Sequence, residues 1–216
     1  MSLNNIFSEL TEYLDKLDKS REEILKISRE IIRDCSIAIK NSHRSEDQDF
    51  NEKIYQVKTK HEELIRLINE DPGTFFKYLK VPEQEFVEAI VLNSITQDNS
   101  FPSPKELNVN PLHYALGLTD VIGELRRYIL DNISNSKIQD LRRILDIMDE
   151  IYTYLFSVDY PSGLTQDLRH KTDIARNIIE KTRGDVSITL QMHELKNCIE
   201  GNIQQKKNFN KSNNKI

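Results

Sequence analysis

The chain has 216 residues, of which 38% are hydrophobic and 30% are charged, and this length predicts one large domain or two small ones. The net charge of −5 argues against a general nucleic-acid coat, since such proteins neutralise phosphates with an excess of Lys and Arg. No window is apolar enough to span a membrane and the N-terminus does not resemble a secretory signal, so we expect a cytoplasmic protein with no membrane association.

Apolar residues recur at three- and four-residue spacing through most of the chain, and this pattern predicts amphipathic helices. The predicted helices span residues 3–43, 50–68, 82–95, 111–132, 137–157, 164–184 and 186–200. A short piece at 74–79 precedes Pro82, and Gly184 is expected to end the sixth helix as a C-cap. No segment alternates with a period of two for long. The predicted fold class is therefore all-α, a bundle of six or seven helices.

The helical pattern predicts one domain over residues 1–200. The remaining segment, 201–216, contains four Lys, many Asn and no acid, which is typical of a disordered basic tail. The two cysteines, Cys35 and Cys198, lie far apart and lack metal-ligand spacing. Two buried, reduced thiols are therefore expected rather than a disulfide or a zinc site.

Four carboxylates stand out because of their apolar surroundings. Glu85 and Glu88 lie three residues apart in the most apolar run of the chain, EFVEAIVLNSI, and Asp120 and Glu124 lie one turn apart on the helix at 111–132. If these helices pack together, the acids converge and need a counter-charge, and their oxygens suit Mg²⁺, Mn²⁺ or Ca²⁺. Such a site activates water for phosphodiester cleavage. Spacing alone favours the alternative, in which the acids are solvated or paired with Lys.

Two glycines lie near these acids, and each weakens a helix by about 0.5–1 kcal/mol relative to Ala. Gly117 and Gly123 therefore indicate close approach by a helix backbone or by a ligand. The five His are scattered, and each is more often structural than a metal ligand. The alternation of charged and apolar residues at 168–184 favours a salt-bridged amphipathic helix over an RNA-contacting face. No phosphate-binding glycine loop or other catalytic motif is present.

Several segments, in order along residues 20–185, resemble the translin family. They are SRE at 28–30 with HR at 43–44, EFVEA at 85–89, YALGLTDVIGELRR at 114–127, and LRHK with TRG within 168–184. The resemblance implies an all-helical subunit of a hollow oligomer that encloses RNA, and the translin-associated factor X branch fits best. The absence of a basic nuclear-targeting extension and a shorter loop between the two acidic helices are typical of a compact, prokaryotic form.

The resemblance also implies roles for individual residues. Glu85 and Glu88 correspond to metal-binding glutamates, Asp120 to the catalytic aspartate, which also holds the metal, and Glu124 to a further acid at the same site. The expected cofactor is Mg²⁺, with Mn²⁺ as an alternative. The basic residues that match best, and that we expect to bind RNA, are Arg29, Arg44 and Arg127.

The sequence therefore leads to one hypothesis and two alternatives. The hypothesis is a Mg²⁺-dependent endoribonuclease that cleaves single-stranded or short duplex RNA inside a homo-oligomeric shell, an octamer by resemblance. The first alternative is a non-catalytic shell that binds single-stranded RNA or DNA. The second is a helical scaffold whose acids are only solvated faces.

Overall fold

A computed structural model describes the backbone of residues 2–133 and 138–213, and the side chains of these residues apart from those at 138–139, 197 and 200–213. The helices in chain order are α1 (Leu3–His43), α2 (Asp47–Ile68), the one-turn α3 (Pro72–Phe75), α4 (Lys80–Thr96), α5 (Pro111–Asn132), α6 (Ile138–Phe156), the one-turn α7 (Ser162–Thr165) and α8 (Leu168–Asn213). A 3-10 turn, Phe76–Leu79, precedes α4. No strand occurs in the described residues, which confirms the all-α prediction.

Local sequence signals explain where the best-predicted helices begin. The side chain of Ser2 accepts a hydrogen bond from the amide of Asn5 and so caps α1. The side chain of Asn110 accepts hydrogen bonds from the amides of Leu112 and His113, and Pro111 occupies the first turn of α5. Both patterns are standard helix starts, and the predicted bounds 3–43 and 111–132 agree with the structure.

The prediction that Gly184 ends a helix is wrong, because α8 continues through it to Asn213. The next turn is held by tertiary contacts: Val186 is buried in the core, and Arg126 Nη2 lies 2.9 Å from Asp185 Oδ2. A glycine inside a helix costs only about 1 kcal/mol, which these contacts offset. The predicted helices at 164–184 and 186–200 are therefore one helix that starts at Leu168, preceded by the separate turn α7.

Helix α8 also includes residues 201–213, although the composition of 201–216 predicts disorder. No proline interrupts the chain after Pro161, so nothing in the sequence blocks continuation of the helix. The division of the chain at residue 200 stays a prediction. The predicted start of one helix at residue 137 and the tail residues 214–216 lie outside the described residues.

Helices α4 and α5 pack together at the centre of the bundle, with α1 and α2 on the α4 side and α6 and α8 on the α5 side. Gly117 allows this close packing, because a Cβ there would lie 2.8 Å from Val87 Cβ and 2.9 Å from the Gln84 carbonyl oxygen. The approach of a helix backbone is therefore confirmed as the reason for Gly117. It fixes the register in which the two acidic helices face each other.

The two cysteines differ in environment. Cys35 is buried in the core, and burial raises the pKa of its thiol well above the ordinary value. Cys198 is exposed, so the prediction of two buried thiols is wrong for this residue. It lies on the part of α8 that extends beyond Val186, where the described side chains have little to pack against. None of the described helices is long and apolar enough to cross a bilayer, and a cytoplasmic location stays a prediction.

Candidate active site

A cavity of about 510 Å³ lies between α4, α5 and α8. Glu85 and Glu88 line it from α4, and Asp120 and Glu124 line it from α5. The structure therefore brings together the four carboxylates that the sequence singles out, which lie in two pairs about 35 residues apart in the chain. The remaining described lining residues are Val81, Gln84, Thr119, Gly123, Lys171, Ile174 and Ile178.

Helix periodicity explains why the acids of each pair share a face, since residues three and four apart are neighbours on a helix surface. The second glycine, Gly123, also faces the cavity, and nothing lies within 4 Å of the position that its Cβ would occupy. Gly117 and Gly123 thus differ: the first admits another helix, whereas the second leaves open space beside the acids.

Burial and mutual repulsion shift the charge state of the α4 carboxylates. The pKa of Glu88 is raised to about 8, first by burial and then by the charges of Glu85, Asp120 and Glu124. Burial likewise raises the pKa of Glu85, with Asp120 as the next cause. The charge of Lys171 opposes both shifts, and no hydrogen bond is among their causes. The environment of the cavity therefore favours the protonated, neutral form of Glu85 and Glu88.

The α5 carboxylates have partners. Lys171 Nζ lies 2.7 Å from Asp120 Oδ2. His43 Nε2 lies 2.7 Å from Glu124 Oε2, and Arg127 Nη1 lies 3.6 Å from the same oxygen. The pKa of Glu124 is lowered, chiefly by the hydrogen bond from His43. The last turn of α1 thus fixes the orientation of Glu124 at the cavity wall.

The donor set fits a divalent cation in type and charge. All four side chains offer carboxylate oxygens, which hard cations such as Mg²⁺ and Mn²⁺ prefer, and a cation would offset the mutual repulsion that, after burial, raises the pKa of Glu88. As placed, no group of three or more described His, Cys, Asp and Glu side chains is close enough to hold a metal ion together. Two of the four carboxylates, Asp120 and Glu124, are instead engaged by basic side chains.

The three arginines expected to bind RNA are not equally close to the cavity. Arg127 lies beside Glu124, and Arg44 is the C-cap of α1, next to the His43 that contacts Glu124. Arg29 is exposed on α1, about 22 Å further along that helix from Arg44 at the rise of an α-helix. Arg127 thus contacts a residue of the cavity wall, Arg44 is placed only by its neighbour His43 in the chain, and Arg29 lies apart from both.

Sequence reasoning missed two features near the cavity. The first is Lys171, the last residue of the LRHK segment, to which sequence reasoning assigned no role of its own at the site. The second is a buried cluster in which Glu83 lies between His61 and His113, with distances of 3.2 Å to His61 Nε2 and 2.7 Å to His113 Nδ1. The amide of Asn110 donates to the same carboxylate. No spacing rule could have joined these residues, because they come from three different segments.

The pKa of Glu83 is lowered, although burial acts to raise it. The hydrogen bonds from His113 and His61 and the amide of Asn110 outweigh the cost of burial. Glu83 and both His are each 2% exposed. Two of the five His are therefore structural, as expected for isolated His residues, but as partners of one buried carboxylate.

The fold and the cavity define an all-helical protein whose two central helices present four carboxylates to one cavity. The chain belongs to the translin family, whose profile matches residues 19–184. The resemblance read from the sequence is thereby confirmed, and the match includes every residue of the acidic cavity.

Three relatives place the chain within this family. It is 42% identical over 189 residues to an uncharacterized protein of Methanocaldococcus jannaschii, covering 87% of this chain and 84% of that protein. It is 25% identical over 194 residues to the translin-associated protein X homolog of Schizosaccharomyces pombe, covering 82% and 84%. Among solved structures, AfC3PO in complex with duplex RNA is similar with a TM-score of 0.78 and 28% identity, covering 86% of this chain and 97% of that one.

Proposed function

We propose that this protein is a metal-dependent endoribonuclease that uses Mg²⁺, with Mn²⁺ as an alternative. The observation that carries the proposal is the convergence of four carboxylates on one cavity, where the pKa of Glu88 is raised to about 8. Such a cluster is stabilised by a bound cation. A carboxylate cluster with an open cavity suits the hydrolysis of a phosphodiester, whose charged oxygens complete the coordination of Mg²⁺.

The roles of the residues follow from their positions. Glu85, Glu88 and Asp120 would hold the ion, which would supply Lewis-acid stabilisation and lower the pKa of a bound water. Glu124 is held by His43 and Arg127, so its carboxylate has a fixed orientation from which to accept a hydrogen bond from water. Gly123 leaves space beside these acids for the substrate backbone.

RNA is the proposed substrate, single-stranded or short duplex, and single-stranded DNA is a further candidate ligand. The structural similarity to AfC3PO, which was solved with duplex RNA, supports this choice. Arg44 and Arg127 are proposed phosphate contacts, and Arg29 is proposed to contact RNA further along α1. Arginine suits this role because its planar guanidinium donates two hydrogen bonds to one phosphate.

We further propose that the chain forms a homo-oligomer, an octamer by family resemblance, with the cavity facing inward. Exposed apolar side chains are concentrated on the start of α1 and on α8 beyond the bundle. They include Leu3, Phe7, Leu10, Leu14, Ile188, Met192, Leu195 and Ile199. A single subunit would leave this apolar surface in water, whereas an interface would bury it. Light scattering at micromolar concentration should report several times the 25.3 kDa mass of one chain.

The direct test is incubation of the purified chain with labelled single-stranded and duplex RNA, with Mg²⁺, with Mn²⁺ and with chelator. Internal cleavage that requires the metal supports the proposal. A protein that binds RNA but leaves it intact in both metals contradicts it.

A non-catalytic shell that binds RNA or single-stranded DNA is the second candidate function. It is favoured by the ion pair between Lys171 and Asp120, which neutralises the cavity in part without a metal. In either case, replacing Arg29, Arg44 and Arg127 together by Gln should weaken RNA binding and make it less dependent on salt. If both quantities are unchanged, RNA binds elsewhere. If the chain binds no nucleic acid at all, the remaining interpretation is a helical scaffold whose acids are only solvated.

A further inference from the structure

Lys171 is the one basic side chain among the described residues that line the acidic cavity. It lies on α8, opposite the two acidic helices. Its Nζ donates hydrogen bonds to Asp120 Oδ2 at 2.7 Å and to Gln84 Oε1 at 2.9 Å. One ammonium therefore joins α4, α5 and α8 at the point where the carboxylates converge.

The position of Lys171 matters because Asp120 is also a proposed metal ligand. A lysine ammonium is a compact point charge on a flexible four-carbon stem. A divalent cation and the ammonium cannot both lie on one carboxylate without strong repulsion, because like charges at such distances interact strongly when partly shielded from water. The side chain of Lys171 is 23% exposed, so it has space to swing toward the open side of the cavity.

We propose that Lys171 is a built-in counter-ion that a divalent metal displaces from Asp120, and that the released ammonium then contacts a phosphate of the bound RNA. The proposal rests on the nuclease function proposed above. It makes Lys171 a residue with two positions, one on Asp120 in the metal-free protein and one on the substrate in the loaded complex. It also accounts for the absence of a ready-made ligand group among the described residues.

The test compares Lys171→Met, which keeps the apolar stem and removes the charge, with Lys171→Arg, which keeps a charge. Lys80→Met is the matched control, because Lys80 forms a similar ion pair with Asp167 at 2.6 Å and neither residue lines the cavity. Mn²⁺ binding to the full-length chain without RNA is measured by electron paramagnetic resonance. Lys171→Met should bind Mn²⁺ about tenfold more tightly than the wild type at low salt, since a competing cation is gone. Lys80→Met should match the wild type.

The second measurement is RNA binding and cleavage at saturating Mn²⁺. Lys171→Met should bind RNA more weakly, with a log–log salt slope smaller by about 1, as expected for the loss of one phosphate contact. Its KM should rise and its kcat should fall, and Lys171→Arg should restore much of the binding.

Equal or weaker Mn²⁺ binding by Lys171→Met overturns the displacement, and an unchanged RNA affinity and salt slope overturn the phosphate contact. Should Lys171→Met not fold, Lys171→Gln replaces it in the same assays. The outcome is separable from the nuclease proposal. A wild-type chain that binds Mn²⁺ but cleaves no RNA refutes the nuclease, whereas active cleavage with kcat and KM unchanged in Lys171→Met refutes the role of Lys171.

Discussion

Glu83 and Glu88 lie on the same helix, five residues apart, and both are largely withdrawn from water, yet they have opposite charge preferences. Glu83 is surrounded by His61, His113 and the Asn110 amide, and its pKa is lowered. Glu88 is surrounded by three other carboxylates and apolar residues, and its pKa is raised to about 8. Burial is therefore not what distinguishes them. The difference is whether hydrogen-bond donors accompany the carboxylate, since three donors lower the pKa of Glu83 and no hydrogen bond is among the causes of the shift of Glu88.

The largest effect should be on catalysis. It tests Glu88 and the other carboxylates that line the cavity. Replacing Glu85, Glu88 or Asp120 by Ala should lower the rate of RNA cleavage by about 10³-fold, the scale on which removal of one group that stabilises transition-state charge acts. Helix content measured by circular dichroism should not change. Cleavage at the wild-type rate in all three variants would remove these residues from the site.

The second prediction tests Glu83, the carboxylate that hydrogen-bond donors surround. Glu83→Gln should lower the free energy of unfolding by about 3 kcal/mol, because the amide keeps only one acceptor oxygen for three donors, and hydrogen bonds to a charged acceptor contribute about 1.5–3 kcal/mol each. Urea denaturation at pH 7 measures it. Glu88→Gln in chelator is the matched control and should not be destabilised. Equal losses in the two variants would mean that the two acids do not differ in kind.

The third prediction uses pH. A carboxyl whose folded-state pKa is raised stabilises the protein in its protonated form, so the metal-free protein should lose stability as pH rises from about 4.5 to about 8. Each pH unit between these two pKa values costs about 1.4 kcal/mol, so we expect a loss of several kcal/mol over this window, and Glu88→Gln should flatten the profile. Glu83 acts in the opposite sense: its contribution is complete above pH 4.5 and is lost as pH falls below that value.

Thermal melts in chelator from about pH 3 to about pH 8 measure both contributions, that of Glu83 below pH 4.5 and that of Glu88 above it. A wild-type stability that rises between pH 5 and pH 8 would contradict the interpretation of Glu88. The addition of Mg²⁺ should stabilise the wild type most at the upper end of the range, where the carboxylates are ionised.

The smallest effects come from the two glycines of α5. Gly117→Ala should destabilise the protein by about 1–3 kcal/mol, because its Cβ would collide with Val87 and the Gln84 backbone. Gly123→Ala meets nothing within 4 Å and should stabilise the helix by about 0.5–1 kcal/mol. Denaturation midpoints measure both. Stabilisation by both substitutions would mean that α4 and α5 pack less closely than described.

The sequence predicted most of the fold because helix boundaries depend on local signals. Periodic apolar residues and the prolines predict α1 and α5 to the residue, and the structure adds the Ser2 and Asn110 caps at their starts. The wrong prediction of a helix end at Gly184 shows the limit of local signals. Long-range contacts of Asp185 and Val186 stabilise the next turn of α8, although glycine normally favours a helix end.

The candidate site was predicted in part. Helix spacing places Glu85 with Glu88 and Asp120 with Glu124, and the sequence joined the two pairs only on the condition that their helices pack together, which the family resemblance supported. Lys171 was missed because its partner is 51 residues away in the chain, and no periodicity relates the two. Prediction from spacing thus finds groups that share a helix, whereas counter-ions supplied by another helix need the tertiary structure.

The contrast between the two cysteines makes the protein suited to site-specific labelling. A maleimide fluorophore should react at Cys198 and spare Cys35, whose thiol is buried and kept protonated. The rise of α8 places Cys198 roughly 40 Å from Lys171, so the dye would not disturb the acidic cavity. Cys198 also lies between Leu195 and Ile199, on the apolar stretch of α8 proposed as a subunit interface, so slower labelling of this thiol in the assembled particle than in the free chain would report formation of that interface without any substitution in the chain.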